Sequence, residues 1–342
     1  KEMDAAELEK ELKNITLPSD VKSSELQKLK DKYFADIFAE RLFGYLSPES
    51  QKALCRSAVY GVPVTLDGLM AVSPESSDEV PDFVRGWQDR AFAYQDTDRF
   101  NEPLWIVYGL LRSWLLDRLS ADERKVAHRA AGDFLFEMVK QNRMDELGLS
   151  WVDCMMYARS AYLQAQSLEP ARNATDLISG FFVTCGFYDV VRLMNFELLG
   201  FEEHPSQMIW IARTYMDQGD YDSAKILHER CIHAIPNLDP RYKALAIYGL
   251  AAIDLRRDNC EAARKKFNKA RKIMKAIGDI AGEAAILLQL ATIDLRIRDF
   301  NGAHKKLTKV MKIMTEIGYP EGVAVTLHQF ASIGLIDGNH EA

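Results

Sequence analysis

The densest group of side chains able to bind a metal or serve as nucleophile and base is His228-Glu229-Arg230-Cys231-Ile232-His233. On a helix, residues 228 and 231 share a face while 233 points elsewhere. A zinc site needs more converging ligands than that. The run therefore reads as helix packing, with Cys231 at a small-residue contact position, and no metal is expected. Gly-x-Ser-x-Gly is absent, and the dipeptide Gly-Lys occurs nowhere in the chain. A phosphate-cradling loop needs glycines whose backbone N–H groups face the phosphates and a lysine to neutralise them. The chain by itself is expected to be no enzyme and to hold no cofactor.

Two further sets of residues suit binding rather than reaction. Lys265, Lys266, Lys269 and Lys272 recur as Lys305, Lys306, Lys309 and Lys312, at a spacing of 40 residues. A basic stripe of this kind can grip phosphate backbones or acidic partners. With no aromatics interleaved for base stacking, the reading favours a solvated outer face that keeps an array soluble. The second set is Trp210, Arg213, Tyr248, Arg256, Gln289, Arg296, His328 and Gln329, which the repeat frame described below places on inner helices. A line of aromatics, Arg and Gln suits the capture of a peptide or protein surface. The alternative is that Trp210 and Tyr248 only fill gaps between helices.

The elements that must position these residues come from an internal repeat. Ala224, Ala263 and Ala303 fall 39 and 40 residues apart, and each has an alanine twelve residues upstream: Ala212, Ala251 and Ala291. A further copy begins near Val323, with Ala331 again 40 residues on. Within the second half of the unit, Phe267, Ala270, Ile273, Met274 and Ile277 match Leu307, Val310, Ile313, Met314 and Ile317. This i, i+3, i+4, i+7 spacing is one apolar helical face. Gly278-Asp279 and Gly318-Tyr319-Pro320 break the helix. A helix pair of this size cannot bury its apolar face alone, so neighbouring pairs must stack into a solenoid. Cys185–Val191 resembles Gln218–Ala224, so less regular members are expected from about 141.

The Gly-Asp-Tyr-x-x-Ala junction at 219–224 and the small residues at both landmarks resemble tetratricopeptide repeats (TPRs), and the tract at 277–284 resembles their longer subtype. Asp254 and Asp294 depart from that pattern, standing where an aromatic is usual. The TPR resemblance implies a right-handed superhelix of helix hairpins. Its concave face would bind a protein or peptide, without the Lys/Asn set that clamps a C-terminal carboxylate.

Residues 33–140 follow a different grammar. Tyr33–Leu46 reads as a helix with Phe34, Ile37, Phe38, Arg41, Leu42 and Tyr45 near one side. Ser47-Pro48-Glu49 starts a second helix, Thr65 a short third, and Val80–Trp87 makes a fourth. Arg90–Phe100 and Glu102–Val107 frame a polar turn between short apolar runs, which predicts a hairpin. An apolar helix follows, and then one opened by a Ser120/Glu123 capping box. The tract resembles the winged-helix region of STAND-type (NACHT/NB-ARC-like) signal-transduction NTPases, in which an ATPase module precedes the winged helix and a repeat array follows it. That resemblance implies a sensor histidine after the second wing strand; Tyr108 of Val107-Tyr108-Gly109-Leu110 occupies its place. Tyrosine can hydrogen-bond but is uncharged near neutral pH. Either nucleotide control is lost or the contact is a variant one, and ATP or ADP would act only through an upstream module. DNA recognition is not expected, because the short helix at 65–72 lacks Arg, Lys and Asn.

Composition agrees with this outline. The 342 residues are 48% hydrophobic and 27% charged, enough apolar surface for more than one core. A net charge of −7 excludes a polycation seeking nucleic acid. Five scattered cysteines without a CxxC pair suit a reducing, cytoplasmic compartment. The charged N-terminus is no signal peptide, and no run approaches the roughly 20 apolar residues of a membrane helix. A chain that begins with Lys1 and stops within a repeat is expected to be part of a longer one.

The sequence thus predicts a mainly α chain: a helical linker (1–32), a winged-helix-like domain (33–140), irregular helical repeats (141–204) and a TPR α-solenoid (205–342). Its expected role is the partner-binding and relaying arm of a STAND-type switch, acting on an ATPase or effector in cis or in trans. The alternative is a free-standing scaffold that bridges two proteins without nucleotide control.

Overall fold

A computed structural model describes residues 39–98 and 100–337. The expectations for residues 1–32 and for Phe34, Ile37 and Phe38 lie outside the described residues. The fold is mainly α, with a TPR-like helical solenoid. Two compact units divide the chain. One runs to Ala131 and includes Asp145–Gly148; the other holds Gly132–Met144 and the described residues from Leu149 on.

In the first unit a helical segment at 39–44 leads to α1 (Pro48–Ser57), α2 (Leu66–Ala71), a 3-10 turn (Pro74–Glu79) and α3 (Val80–Asp89). Strands β1 (Ala93–Thr97) and β2 (Pro103–Val107) and helix α4 (Gly109–Leu116) follow. Ser47 caps α1 by accepting from the Ser50 N–H at 3.2 Å, and Pro48 occupies the first turn, where its missing N–H is no loss. The strands pair antiparallel, with Ala93 opposite Val107 and Thr97 opposite Pro103. Asp98 closes their polar turn by accepting from the N–H groups of Phe100 and Glu102 at 2.8 and 2.7 Å. Val64, just before α2, pairs with Trp105 and adds a short third edge to the hairpin. Leu54, Leu69, Trp87, Phe92 and Leu115 fill the core, and the buried Trp87 indole donates to Ser50 Oγ at 2.9 Å.

The predicted apolar side of the first helix needs correction. Ala39, Phe43 and Leu46 are its buried positions, while Tyr45 is 65% exposed. The helix ends at 44, and the turn that follows swings Leu46 rather than Tyr45 inward.

Helix α5 (Ala121–Lys140) opens on the predicted capping box: Glu123 N–H donates to Ser120 Oγ at 3.2 Å and Ser120 N–H to Glu123 Oε2 at 3.1 Å. The division between the two units falls within this helix.

The second unit continues with α6 (Trp151–Gln164), α7 (Leu168–Thr184), α8 (Tyr188–Leu199), α9 (Pro205–Asp217) and α10 (Tyr221–Ala234). Then come α11 (Pro240–Arg256), α12 (Cys260–Ala276), α13 (Ile280–Arg296), α14 (Phe300–Glu316) and α15 (Pro320–Asp337). Every landmark alanine, at 212, 224, 251, 263, 291 and 303, is fully buried, because a methyl group is all the space left between helix axes there. Phe267, Ala270 and Met274 of α12 pack with Ile247, Leu255, Ile286 and Leu290 of the flanking helices. Burying a side chain the size of Phe267 stabilises the stack by roughly 1.5–3 kcal/mol. Ile277 and Ile317, read as the last members of the same apolar face, are instead exposed C-caps, where the helix has already ended.

The turns are built locally. Asp220, Asn259, Asp279 and Asp299 each cap a helix by accepting from the N–H three residues on. Gly219, Gly278 and Gly318 sit in the left-handed region that ends the preceding helix, while Asp258 and Arg298 hold the same conformation without being glycine.

Candidate functional site

The inner helices α9 and α11, with α7 and α13 beside them, border a groove of about 620 Å³. Trp210, Arg213, Tyr248, Arg256 and Gln289, all predicted from the repeat frame, line it together. The rings of His204 and Tyr242 meet at 5.4 Å at the two helix starts, and about two turns further along Arg213 acts electrostatically on the Tyr248 hydroxyl. Tyr248 serves two purposes. Its ring stacks edge-on against core Phe267 at 5.4 Å, and its hydroxyl, pushed up by burial, hydrogen-bonds with Gln289 on the groove side.

The other predicted inner-face residues do not line this groove. Arg296 of α13 donates to the Leu255 carbonyl at 2.9 Å and to Asp258 at 2.6 Å, tying the next hairpin to the turn between α11 and α12. Gln329 Nε2 donates to Thr292 Oγ1 at 3.1 Å, tying α15 to α13. His328 is exposed on α15.

The structure adds Asp176, Ser206, Tyr242 and His228 to the groove lining. Ser206 Oγ lies 2.7 and 2.6 Å from the two oxygens of Asp176. Burial raises the Asp176 carboxyl above its usual range, against the opposing effects of hydrogen bonds from Ser206 and Trp210 and of the Arg172 charge. Ser206 was within reach of sequence reasoning, since it lies one turn before Trp210 on the same face. Tyr242, Leu245, Tyr248, Ala252 and Arg256 likewise follow the helical period along α11. Asp176 carried no such signal, because α7 belongs to the loosely patterned repeats.

His228 comes from the outer helix α10, yet it is 3% exposed and reaches the groove floor. It does so through Gly249 of α11, where a Cβ would overlap the imidazole edge. Burial lowers its pKa to about 4, so the ring is neutral near pH 7, and among the described residues neither ring nitrogen has a hydrogen-bond partner. Cys231 is buried with its thiol pushed up to about 11 by desolvation, and His233 and Glu229 are exposed. The His/Cys run is thus spread over separate environments. Among the described residues no group of three or more His, Cys, Asp or Glu side chains is arranged to hold a metal ion.

The repeated lysines divide into three groups. Lys266 and Lys306 each bond the aspartate twelve residues before them, Asp254 and Asp294, and Lys309 bonds Glu283 at 2.8 Å. Lys265 and Lys312 make one-turn pairs with Glu261 and Glu316, at 2.8 and 3.8 Å. Among the described residues, Lys269, Lys272 and Lys305 make no ion pair. Tyr108 caps the start of α4, is 40% exposed and packs on Tyr94 with ring centroids 4.9 Å apart. The helix that leads into the hairpin is α3 rather than the short helix α2 considered for base reading; α3 has Asp82 and Asp89 beside its exposed Arg85. That charge pattern does not favour a phosphate backbone.

No protein-family model matches the chain, and no curated protein is similar to it. Among solved structures, the fold is similar to the crystal structure of a signal transduction ATPase with numerous domains (STAND) from Pyrococcus horikoshii, a protein with a tetratricopeptide repeat sensor. The TM-score is 0.68 at 17% identity, over 95% of this chain and 45% of that one. The chain therefore spans less than half the length of the protein it resembles. No helix among the described residues is long and apolar enough to cross a membrane.

Proposed function

We propose that this chain is the non-catalytic, partner-binding arm of a STAND-type switch. The TPR solenoid senses a protein or peptide in the groove between α9 and α11. The hairpin-edged helices of the first unit act as a winged-helix-like relay to an ATPase or effector elsewhere. The observation that carries this reading is the convergence of Trp210, Arg213, Tyr248, Arg256 and Gln289 on one groove of the inner helices. Aromatic and Arg side chains at the edge of a partly apolar cleft are what protein recognition uses. The similarity to a STAND protein with a TPR sensor supports the same assignment. Binding can move such a switch only through different affinity for its two states.

A second reading, a scaffold without nucleotide control, is favoured by one residue. Tyr108 stands in the place of the sensor histidine and rests on Tyr94, which suits packing as well as ligand contact.

Photo-crosslinking tests the shared part of both readings. A benzoylphenylalanine replaces Arg213 in the groove or Lys269 on the outer helix, and the chain is irradiated in extract of its source. A discrete protein adduct at 213 and none at 269 is expected; adducts at neither position, or equally at both, overturn the groove as the partner site. The intact mass and sequence of the native polypeptide then separate the two readings. An upstream Gly-Lys-Ser/Thr loop supports the switch, and its absence in cis supports the scaffold.

A further inference from the structure

The groove is electrically polarised. At the end formed by the starts of α9 and α11, the Asp176 carboxylate has neutral hydrogen-bonding partners, the Ser206 hydroxyl and the Trp210 indole. Two cations stand near this end, each paired with another carboxylate: Arg172 bonds Glu202 while its charge also reaches Asp176, and Arg241, 66% exposed, lies 3.5 Å from Asp279. Asp176 makes no ion pair among the described residues. Trp210 and Tyr242 bring aromatic rings to the same end. A half-buried carboxylate beside aromatic rings attracts an ammonium or guanidinium through both ion pairing and the ring quadrupole.

The other end is basic. Arg213 shares its guanidinium with Asp217 at 2.8 Å and keeps 55% of its side chain exposed. Arg256 is exposed and makes no ion pair among the described residues. Between the two ends lies the neutral imidazole of His228, with both nitrogens lacking partners among the described residues. Along α9, Ser206 to Arg213 spans about 10 Å, and along α11, Tyr242 to Arg256 spans about 21 Å, at the helical rise per residue. An extended chain covers those distances in about three to six residues.

We infer that the groove takes an extended peptide segment with a basic side chain against Asp176 and an acidic side chain against Arg213 and Arg256. This rests on the groove being the partner-binding face and adds the charge pattern of the segment it accepts. Either chain direction satisfies the pattern, because side chains rather than termini carry the charges.

The test uses the 342-residue chain and capped hexapeptides with four central alanines: lysine at one end and glutamate at the other, lysine at both, or glutamate at both. Affinities are read by calorimetry. The mixed-charge peptide is expected to bind at least 10-fold tighter than either like-charge peptide. In the Asp176→Lys variant, preference should move to the glutamate pair; in an Arg213→Glu, Arg256→Glu variant, to the lysine pair. Both variants are first matched to the parent by circular dichroism and thermal midpoint, and if Asp176→Lys does not fold, Asp176→Asn, which removes charge without reversing it, should abolish the preference of the mixed-charge peptide over the glutamate pair while keeping its preference over the lysine pair. Equal affinities, no binding at millimolar peptide, or an unchanged preference in the variants overturns the inference. Crosslinking at 213 that persists alongside such a result would retain the partner site and reject only its charge pattern.

Discussion

Arg264 of α12 donates to Asp294 of α13 at 2.7 Å, joining two successive helix hairpins through a carboxylate that is 1% exposed. Lys306 of α14 bonds the other oxygen of the same carboxylate. Where an aromatic would fill this position in the repeat pattern, the chain has a charge held by two cations. Removing one partner from such a cluster leaves the others uncompensated. Asp294→Asn is expected to destabilise the solenoid by about 1–3 kcal/mol, less than for a deeply buried pair because both cations keep some water. Urea unfolding checks this through the midpoint at unchanged slope, and a shift below about 0.5 kcal/mol would mean that the cations are satisfied by solvent.

Gly249 and His228 are a coupled pair. A methyl group at 249 overlaps the imidazole, so Gly249→Ala should cost about 1–3 kcal/mol through overpacking. His228→Ala empties that space, and the double variant should recover at least about 1 kcal/mol of the loss. A double-mutant cycle measures the coupling, and strict additivity would refute the through-glycine contact.

The same histidine makes stability depend on pH. Its folded pKa of about 4 lies below the ordinary 6.5, so between those values the unfolded chain binds a proton that the folded chain does not. Stability is therefore full above about pH 6.5 and falls by up to about 1.4 kcal/mol per pH unit as pH drops toward 4. His128 in the first unit is lowered to about 4 in the same way, so the slope due to His228 is isolated by comparison with His228→Leu. The variant should show a shallower decline between pH 6 and 4.5, and an identical profile would place a partner on the imidazole.

Arg298 holds a left-handed turn at φ 63°, a position filled by glycine at 219. Arg298→Gly removes a steric penalty of about 1–2 kcal/mol but frees the unfolded chain. A net gain of about 0.5–1 kcal/mol is expected, visible as a small rise in thermal midpoint. Gly278→Ala, at φ 73°, should act in the opposite direction.

The repeat frame was legible because each landmark alanine marks a place where two helices touch, and that demand leaves a fixed spacing in the sequence. The convergence of Trp210, Arg213 and Tyr248 followed from the same frame. Asp176 was not legible, since it lies in the loosely patterned repeats and its role comes from a contact with Ser206, 30 residues away. His228 was read as packing because nothing in its own helix announces that Gly249 of the next one lets it through. The lysine stripe looked continuous in sequence, but Asp254, Glu283 and Asp294 draw part of it into bonds between helices.

The caps at Asp220, Asn259, Asp279 and Asp299 each bind an N–H only three residues away, and a left-handed residue stands immediately before each of them. No helix start in this set borrows a side chain from a distant repeat to begin. A hairpin copied in tandem would carry its own punctuation with it. The array can therefore gain or lose members by duplication and deletion while each copy still starts and stops at its own helix ends.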